Sequence, residues 1–344
     1  MDCRRHVKQI KVSIIVAIYN VESALEYCLD SIQAQNYWDY EGIMINDGST
    51  DKSPEIAKQY VERDNKFKLY TTPNRGLASA RNEGLKYVTG DIISFVDSDD
   101  QIAPNYLSIV VKEFQQNSDI DLIHLSHAEV TESISHIKNG NVVEVKKKTN
   151  AEAIKSFLES EIISTAWANV VKARIIKEHN LRFSDGKLFE DENFNVKLFS
   201  YSKQVLFLSM DNGPYYYLVG RSGSIMNRVF AKKRVQHFKD RLFMINDQYQ
   251  YLSKVHILSK SYITTWYLYK LIWIYNDYYP LHAVLPNEFN ELKKKIIRLY
   301  RNKDTNLSKR QKLQYYRVIN RSFNKVMVTA KKIASVYRKK EHKL

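Results

Sequence analysis

The 344-residue sequence has only two cysteines, Cys3 and Cys28. They provide neither a disulfide framework nor the ligand spacing of a zinc site, so the sequence favours a reducing compartment, the cytoplasm. Because the N-terminus lacks the apolar stretch and small-residue cleavage site of a secretory signal, we expect no signal peptide. The most apolar later region, residues 263–285, is interrupted by Lys270 and Asp277, which argues against a membrane-spanning helix.

Acidic residues are scarce in the C-terminal third of the chain. Residues 231–344 contain 26 lysines and arginines but only 7 acidic residues, a net charge of +19, whereas residues 1–230 carry a net charge of −4. The basic character of the protein therefore belongs to the C-terminal region alone, and it raises the question of an anionic partner. We predict two regions, an N-terminal domain over residues 1–230 and a helical, aromatic and basic region over residues 231–344.

Strand and helix patterns alternate in the first part of the chain. β-branched apolar runs of strand length are separated by segments with helical spacing of apolar residues. These strand-like runs are residues 12–18, 42–46, 67–71 and 91–96. The alternation predicts an α/β domain with a mostly parallel sheet covered on both faces. Within residues 121–147 we expect a hairpin that turns at Asn139-Gly140, and from residue 171 to 180 we expect a helix.

A polar cluster follows each of the four predicted strands, where a parallel sheet of this kind binds its ligand. The clusters are Tyr19-Asn20, residues 47–51, residues 74–76 and residues 97–100. The last of them, Asp97-Ser98-Asp99-Asp100, crowds three carboxylates at the end of an apolar strand. Such acids are often turn formers or helix caps, but their mutual repulsion is relieved by a cation. The cluster therefore predicts a Mg²⁺ or Mn²⁺ site shared with substrate phosphates.

The order of these segments resembles the family 2 glycosyltransferases, which have the GT-A nucleotide-diphospho-sugar transferase fold. The matching segments are VSIIVAIYNVESALEYCLDSI, INDGSTDKS, NRGLASARNEGL, GDIISFVDSDD and FEDENF, with weaker matches in AWANVVKARII and RSGSIM. No single segment is specific, but their order is. The sequence departs from the family pattern at Ala17, where proline is common, and at Ala168-Asn169, where Asn-Lys is expected.

The resemblance implies an inverting enzyme that moves a hexose or N-acetylhexosamine from a UDP-sugar to a bacterial surface-glycan acceptor, with residues 1–230 as its GT-A catalytic domain. It also implies a role for individual residues. Tyr19, Asp47, Asn74 and Arg81 would line the uridine pocket, Asp97 would contact donor hydroxyls, Asp99 would bind the metal, and Asp191 would be the acceptor base. Without the resemblance, Asp47 would be read as a turn former, Arg81 as a solvated arginine and residues 190–192 as an acidic first turn of a helix.

The chemistry of sugar transfer requires groups of the same kinds. A departing nucleotide diphosphate gains negative charge, which a divalent ion at Asp99 stabilises. The attacking hydroxyl must lose a proton to a carboxylate on the opposite side of the sugar ring. Asp191 is the candidate base, and we expect its neighbours Glu190 and Glu192 to raise its pKa.

Two other functions compete with this interpretation. A nucleotide-sugar pyrophosphorylase shares the fold, but residues 17–20 lack the glycine and basic character of its nucleotide loop. A nucleic-acid-binding protein would explain the basic, aromatic C-terminal region but not the acidic segments at 97–100 and 190–192.

The last part of the chain has an apolar stripe from Ile319 to Tyr337 with basic residues outside it. A helix of this pattern either packs on its own domain or lies on an anionic membrane, where a polyprenyl-linked acceptor would be found. The second alternative predicts a cytoplasmic protein with a peripheral contact to the inner face of the cell membrane.

Overall fold

The computed structural model describes residues 9–220 and 234–320. These residues form two compact units, one within residues 1–228 and the other within 229–344. The boundary predicted between residues 230 and 231 lies outside the described residues and stays a prediction. Cys3, the RSGSIM segment and the apolar stripe beyond Asn320 also lie outside them.

The first unit contains both strands and helices. Its strands are β1 (Val12–Ile18), β2 (Tyr40–Asp47), β3 (Phe67–Thr72), β4 (Ile92–Asp97), β5 (Gln101–Ile102), β6 (Leu122–Leu125), β7 (Ala128–Val130), β8 (Val142–Thr149), β9 (Asn169–Lys172), β10 (Gln204–Met210) and β11 (Tyr215–Leu218). Its α-helices are α1 (Leu25–Gln33), α2 (Ser53–Arg63), α3 (Leu77–Gly84), α4 (Tyr106–Gln116), α5 (Asn150–Leu158), α6 (Ala173–Glu178) and α7 (Glu190–Tyr201). Short 3₁₀ turns cover Leu85–Tyr87 and Ala166–Ala168.

An eight-stranded sheet forms the centre of this unit, in the order β3-β2-β1-β4-β9-β6-β10-β8. The pairs β1–β2, β1–β4, β2–β3 and β6–β10 are parallel, whereas β9 and β8 run antiparallel to their neighbours. A smaller sheet has the order β5-β11-β7. Adjacent residues such as Ile14 and Ile15 point to opposite faces of β1 and are both buried, so helices cover the sheet on both sides. The predicted mostly parallel α/β fold is confirmed.

Two local predictions were wrong. The hairpin expected at Asn139-Gly140 does not form, because β8 pairs with β10 and the turn dipeptide is instead held by hydrogen bonds between Gly140 and the side chain of Asn105. The helix expected from residue 171 begins only at Ala173, because the preceding β-branched residues form β9 between β4 and β6.

The register of the parallel strands sets the position of the polar clusters. Ala17 of β1 is the partner of Asp97 in β4, Ile18 is the partner of Asn46 in β2, and Asp47 is the partner of Thr72 in β3. The carboxyl ends of β1 to β4 therefore lie at one edge of the sheet, and the four polar clusters follow them there.

The second unit is helical, as predicted for this region. Its helices are α8 (Arg234–Val255), α9 (Lys260–Tyr278), α10 (Pro286–Tyr300) and α11 (Lys309–Ile319), with a 3₁₀ segment over Tyr279–Ala283. Aromatic rings form its core: the ring of Phe289 in α10 stacks on Phe238 of α8 with centroids 4.9 Å apart and meets Tyr275 of α9 edge-on at 5.4 Å. Among the described helices, none combines the length and the hydropathy needed to cross a bilayer.

Candidate active site

The predicted nucleotide-side residues lie around the ends of β1, β2 and β3. Tyr19 is exposed and follows β1, and Asp47 is buried at the end of the neighbouring β2. The carboxylate of Asp47 accepts backbone N–H bonds from Arg75 at 2.9 Å and from Gly76 at 2.7 Å. Asp47 thus fixes the loop between β3 and α3 that carries Asn74.

A glycine keeps the two loops in contact. Gly48 has a φ of +69°, which disfavours other residues, and a Cβ placed on it would lie 2.8 Å from the backbone nitrogen of Asn74. The structure therefore brings Tyr19, Asp47 and Asn74 to one corner of the sheet edge. Their contacts with uridine stay predictions.

Arg81 of α3 lies among three carboxylates, and its side chain is only 2% exposed. Its Nη2 donates to Asp97 Oδ1 at 2.7 Å, and its Nη1 donates to Asp191 Oδ1 at 2.5 Å and to Glu190 Oε1 at 3.4 Å. The guanidinium therefore joins the end of β4 to the start of α7. The sequence predicts Arg81 in the uridine pocket, and that contact stays a prediction, whereas the ion cluster places Arg81 beside the candidate base.

The first turn of α7 presents Asp191 to this cluster. The helix follows Phe189, whose φ of 64° is left-handed and uncommon for an aromatic residue, so the chain turns sharply before the two acids. Carboxylates in a first turn are favoured by the helix dipole. The second oxygen of Asp191, Oδ2, accepts the backbone N–H of Ala166 at 3.1 Å. Asp191 is therefore held on two sides, by Arg81 and by the 3₁₀ turn at 166–168.

Burial raises the pKa of both acids in this turn. For Asp191 the positive charge of Arg81 opposes the shift and the negative charge of Asp97 adds to it. Burial, followed by the negative charge of Asp191, raises the pKa of Glu190 to about 8, while the positive charge of Arg81 opposes this shift. The direction for Asp191 agrees with the sequence-based expectation, but the main causes are burial and the charge of Asp97 rather than the neighbouring glutamates. A raised pKa makes Asp191 a stronger proton acceptor at neutral pH.

The acidic loop after β4 divides into two parts. Asp100 is buried, where Tyr215 Oη donates to it at 2.7 Å and the N–H of Leu218 donates at 2.8 Å. The same Tyr215 hydroxyl accepts the N–H of Asp97 at 3.1 Å. Asp100 therefore anchors the loop to β11, whereas Asp97 and Asp99 are partly exposed.

The donor atoms of this loop fit a hard divalent cation such as Mg²⁺ or Mn²⁺, which binds carboxylate and phosphate oxygens. After burial itself, the negative charges of Asp97 and Asp99 raise the pKa of Asp100 to about 8, which reflects the concentration of acid here. Within residues 9–220 and 234–320, no three His, Cys, Asp or Glu side chains are arranged to hold a metal ion. A metal at Asp99 would therefore need oxygens from the substrate diphosphate.

Sequence reasoning missed two supporting residues. Tyr215 pins the acidic loop from 118 residues away, and no short-range pattern connects the two. Asn195 lies one helical turn after Asp191, and its side-chain amide donates to the carbonyls of Ser164 at 2.8 Å and Thr165 at 3.2 Å. The i, i+4 spacing on α7 could have indicated Asn195, which steadies the segment whose N–H binds Asp191.

Asn169 stands at the position where the family pattern suggests lysine, and it is a core residue here. Its Oδ1 lies 2.9 Å from His124 Nδ1, and its Nδ2 donates to Asn195 Oδ1 at 3.1 Å. Burial lowers the pKa of His124 to about 4, so this network is neutral at physiological pH. Asn169, which departs from the family pattern, therefore helps to hold the 3₁₀ turn at residues 166–168 in place.

This sheet topology, with an acidic loop after β4 and a carboxylate-bearing helix joined to it, defines the GT-A class of nucleotide-diphospho-sugar transferases. The fold is similar to that of S. aureus TarS residues 1–349 in complex with UDP-GlcNAc, with a TM-score of 0.65 and 17% identity over 94% of this chain and 92% of that one.

The chain belongs to the family 2 glycosyltransferases, since the model of Glycosyl transferase family 2 matches residues 13–168. Glycosyltransferase GlyA of Streptococcus pneumoniae is 34% identical over 240 residues, 67% of this chain and 34% of that protein. Poly(ribitol-phosphate) beta-glucosyltransferase of Bacillus spizizenii is 34% identical over 230 residues, 64% of this chain and 34% of that protein. The chain thus spans about a third of the length of these two relatives.

Proposed function

We propose that this protein transfers a hexose or N-acetylhexosamine from a UDP-sugar to a hydroxyl of a bacterial surface glycan, with inversion at the anomeric carbon. The observation that carries the proposal is the ion cluster in which Arg81 joins Asp97, at the acidic loop, to Asp191, at the start of α7. Two carboxylates that share one guanidinium, one at the acidic loop and one at the start of α7, suit a reaction in which the first contacts the donor and the second accepts a proton.

The comparisons support the choice of donor and acceptor. TarS, which has a similar fold, binds UDP-GlcNAc, and the Bacillus spizizenii relative acts on a poly(ribitol-phosphate). A capsule, a wall polymer or a lipid-linked oligosaccharide would serve as the acceptor of this chain. Membership of the family disfavours nucleic-acid binding as the main function.

Each residue has a defined task in this proposal. Tyr19, Asp47 and Asn74 form the uridine side of the site, and Asp97 contacts hydroxyls of the donor sugar. The acceptor hydroxyl gives its proton to Asp191 as its oxygen bonds to the anomeric carbon and the bond to the nucleotide diphosphate breaks. Arg81 positions Asp97 and Asp191 and balances their charge. A divalent ion held by Asp99 would supply positive charge to the leaving diphosphate.

Replacing Asp99 with asparagine tests the metal assignment. We expect UDP binding by the wild-type protein to require Mn²⁺ or Mg²⁺, and Asp99→Asn to weaken nucleotide-sugar affinity and turnover together, because one metal ligand loses its charge. Calorimetry with and without Mn²⁺ measures the affinities, and a transfer assay measures turnover. Asp119→Asn is a matched control, since Asp119 lies just before β6, is exposed and forms an ion pair with Lys147 of β8. Equal affinities of Asp99→Asn and wild type in saturating Mn²⁺ would exclude Asp99 as a ligand.

The proposal also includes a peripheral contact with the inner face of the cell membrane, made by the C-terminal residues. Residues 321–344 contain eight lysines and arginines and one glutamate. Each cation near an anionic surface contributes about 1 kcal/mol, so several together suffice for reversible attachment. In α11, which precedes them, Leu313 and Tyr316 are exposed beside basic residues.

Flotation with liposomes tests this contact. We expect full-length protein to float with anionic vesicles at low salt, to detach at high salt because surface charges are screened, and to ignore neutral vesicles. A variant ending at Asn320 should lose most of this binding, and it keeps α11, whose Tyr315 and Val318 are buried in the second unit. If full-length protein ignores anionic vesicles at low salt, the membrane contact is rejected.

A further inference from the structure

The second unit contains an open cavity of about 720 Å³, and none of the residues discussed above lines it. Helix α8 contributes Leu242 and Asn246 to its lining, and residues at the start and along one face of α10 contribute the rest. Its volume is in the range of small-molecule sites, which is about 300–1,000 Å³. The cavity is large enough for a ligand of one or two sugar units.

One side of the cavity is basic. Lys295 is half-buried, and its Nζ donates to Asn246 Oδ1 at 3.2 Å and lies 5.1 Å from the ring centroid of Tyr267. Asn246 Oδ1 also accepts the hydroxyl of Tyr267 at 2.5 Å, so the lysine head group is held in place. Arg298, three residues further along α10, also lines the cavity and is exposed.

Among the described residues, no carboxylate neutralises Lys295 or Arg298. In the part of the chain that the structure describes, neither Lys295 nor Arg298 forms an ion pair, and Glu291, one turn before Lys295, pairs instead with Lys294 at 2.7 Å. Burial lowers the pKa of Lys295, and the positive charge of Arg298 lowers it further. Like charges at this helical spacing destabilise each other, so a bound anion would be stabilising.

The first turn of α10 adds groups that bind hydroxyls to the lining of the cavity. Asn287 and Glu288, in the first turn of α10, are exposed and line it. An amide and a carboxylate can donate to and accept from sugar or polyol hydroxyls, whereas lysine and arginine bind phosphate. A nucleic acid or polyphosphate would meet Glu288 and Glu291 with like charge, and a neutral glycan would leave the cations unpaired.

We propose that this cavity binds a phosphate-bearing sugar or polyol, with Lys295 and Arg298 on the phosphate and Asn287 and Glu288 on the hydroxyls. The inference rests on the proposed function in one respect: the natural ligand would be a phosphorylated segment of the acceptor glycan. The cavity would then retain the acceptor chain at a place other than the catalytic carboxylates.

Calorimetry on the full-length protein tests the site, with glucose 1-phosphate, glucose and inorganic phosphate as probes and EDTA present so that no metal assists the donor site. Glucose 1-phosphate should bind more tightly than either of the other two. Lys295→Gln and Arg298→Gln should each weaken it about tenfold or more, the loss expected of one charge-assisted hydrogen bond. Lys312→Gln, which removes an exposed lysine of α11 outside the cavity, should bind as wild type does.

Several results would overturn the proposal. Equal affinity of both cavity variants and wild type for glucose 1-phosphate would do so, as would equal affinity for glucose and glucose 1-phosphate. A nucleic-acid site would be identified instead if a single-stranded oligonucleotide displaces glucose 1-phosphate and if its binding depends on Lys295 more strongly than the binding of glucose 1-phosphate does. Because Arg298 is exposed, its variant remains informative even if Lys295→Gln proves unstable.

The donor site can be assessed separately on the same proteins. The melting shift produced by UDP and Mn²⁺ should be unchanged in Lys295→Gln and lost in Asp99→Asn, while Asp99→Asn keeps its affinity for glucose 1-phosphate. If UDP gives no shift in any protein but glucose 1-phosphate binding depends on Lys295, the proposed function fails and the cavity site stands.

Discussion

Replacing Asp191 with asparagine is expected to lower sugar transfer by about 10²- to 10⁴-fold, the usual contribution of a general base. The amide cannot accept the acceptor proton, but it can keep the hydrogen bond from the N–H of Ala166. The variant should therefore fold, and its UDP-sugar affinity should stay close to that of wild type. Steady-state transfer rates and calorimetric donor affinities on the same preparation separate the two effects.

Glu192→Gln is the matched control, because it removes a carboxylate from the same turn of α7 without touching the pair between Arg81 and Asp191. It should retain most of the transfer activity. If Asp191→Asn keeps turnover within a few-fold of wild type and Glu190→Gln or Glu192→Gln loses it, the base is one of the glutamates.

Arg81→Gln is expected to destabilise the protein by about 3–5 kcal/mol, the cost of removing one partner from a buried ion cluster. The carboxylates of Asp97, Glu190 and Asp191 would remain close together without their shared cation. Because Arg81 lowers the pKa of both Asp191 and Glu190, its loss should raise both values further. The remaining transfer activity should then recover towards alkaline pH, where Asp191 is again ionised.

Denaturant unfolding and a pH–rate profile measure these two effects. Arg81→Lys keeps the charge but not the forked geometry, so it should recover part of the stability and bring the pH profile back towards that of wild type. Arg63→Gln, at an exposed position on α2, should change neither quantity. An Arg81→Gln variant with wild-type stability and an unshifted pH profile would show that the ion cluster does not govern Asp191.

The parallel half of the fold could be predicted because its information is local. The run from Val12 to Ile18 has the length and composition of a buried strand, and the structure has β1 there. The acids that follow Val96 have the composition of a loop at a strand end, and β4 ends there. Parallel strands put such exit loops at one edge, so the approach of Tyr19 to Asp47 followed from topology alone.

The remaining features depend on partners that are distant in the sequence. The turn dipeptide Asn139-Gly140 has the composition of a hairpin, but β8 finds its partner in β10, more than fifty residues later. The contacts of Arg81 with Asp191 span 110 residues, and those of Tyr215 with Asp100 span 115. A helix pattern around Arg81 predicts a solvated side chain equally well, so its burial among three carboxylates could not be read from the sequence.

Metal-dependent use of UDP-sugars can be measured as the release of nucleotide from a panel of sugar donors. Full-length protein would be incubated with UDP-glucose, UDP-galactose, UDP-N-acetylglucosamine, UDP-N-acetylgalactosamine and GDP-mannose in the presence of Mn²⁺, and the free nucleotide measured over time. We expect that at least one UDP-sugar releases UDP, that EDTA suppresses the release, and that GDP-mannose is a poor donor. A folded protein that releases no UDP from any of these donors, or that releases it equally well in EDTA, would contradict a metal-assisted transferase that uses UDP-sugars.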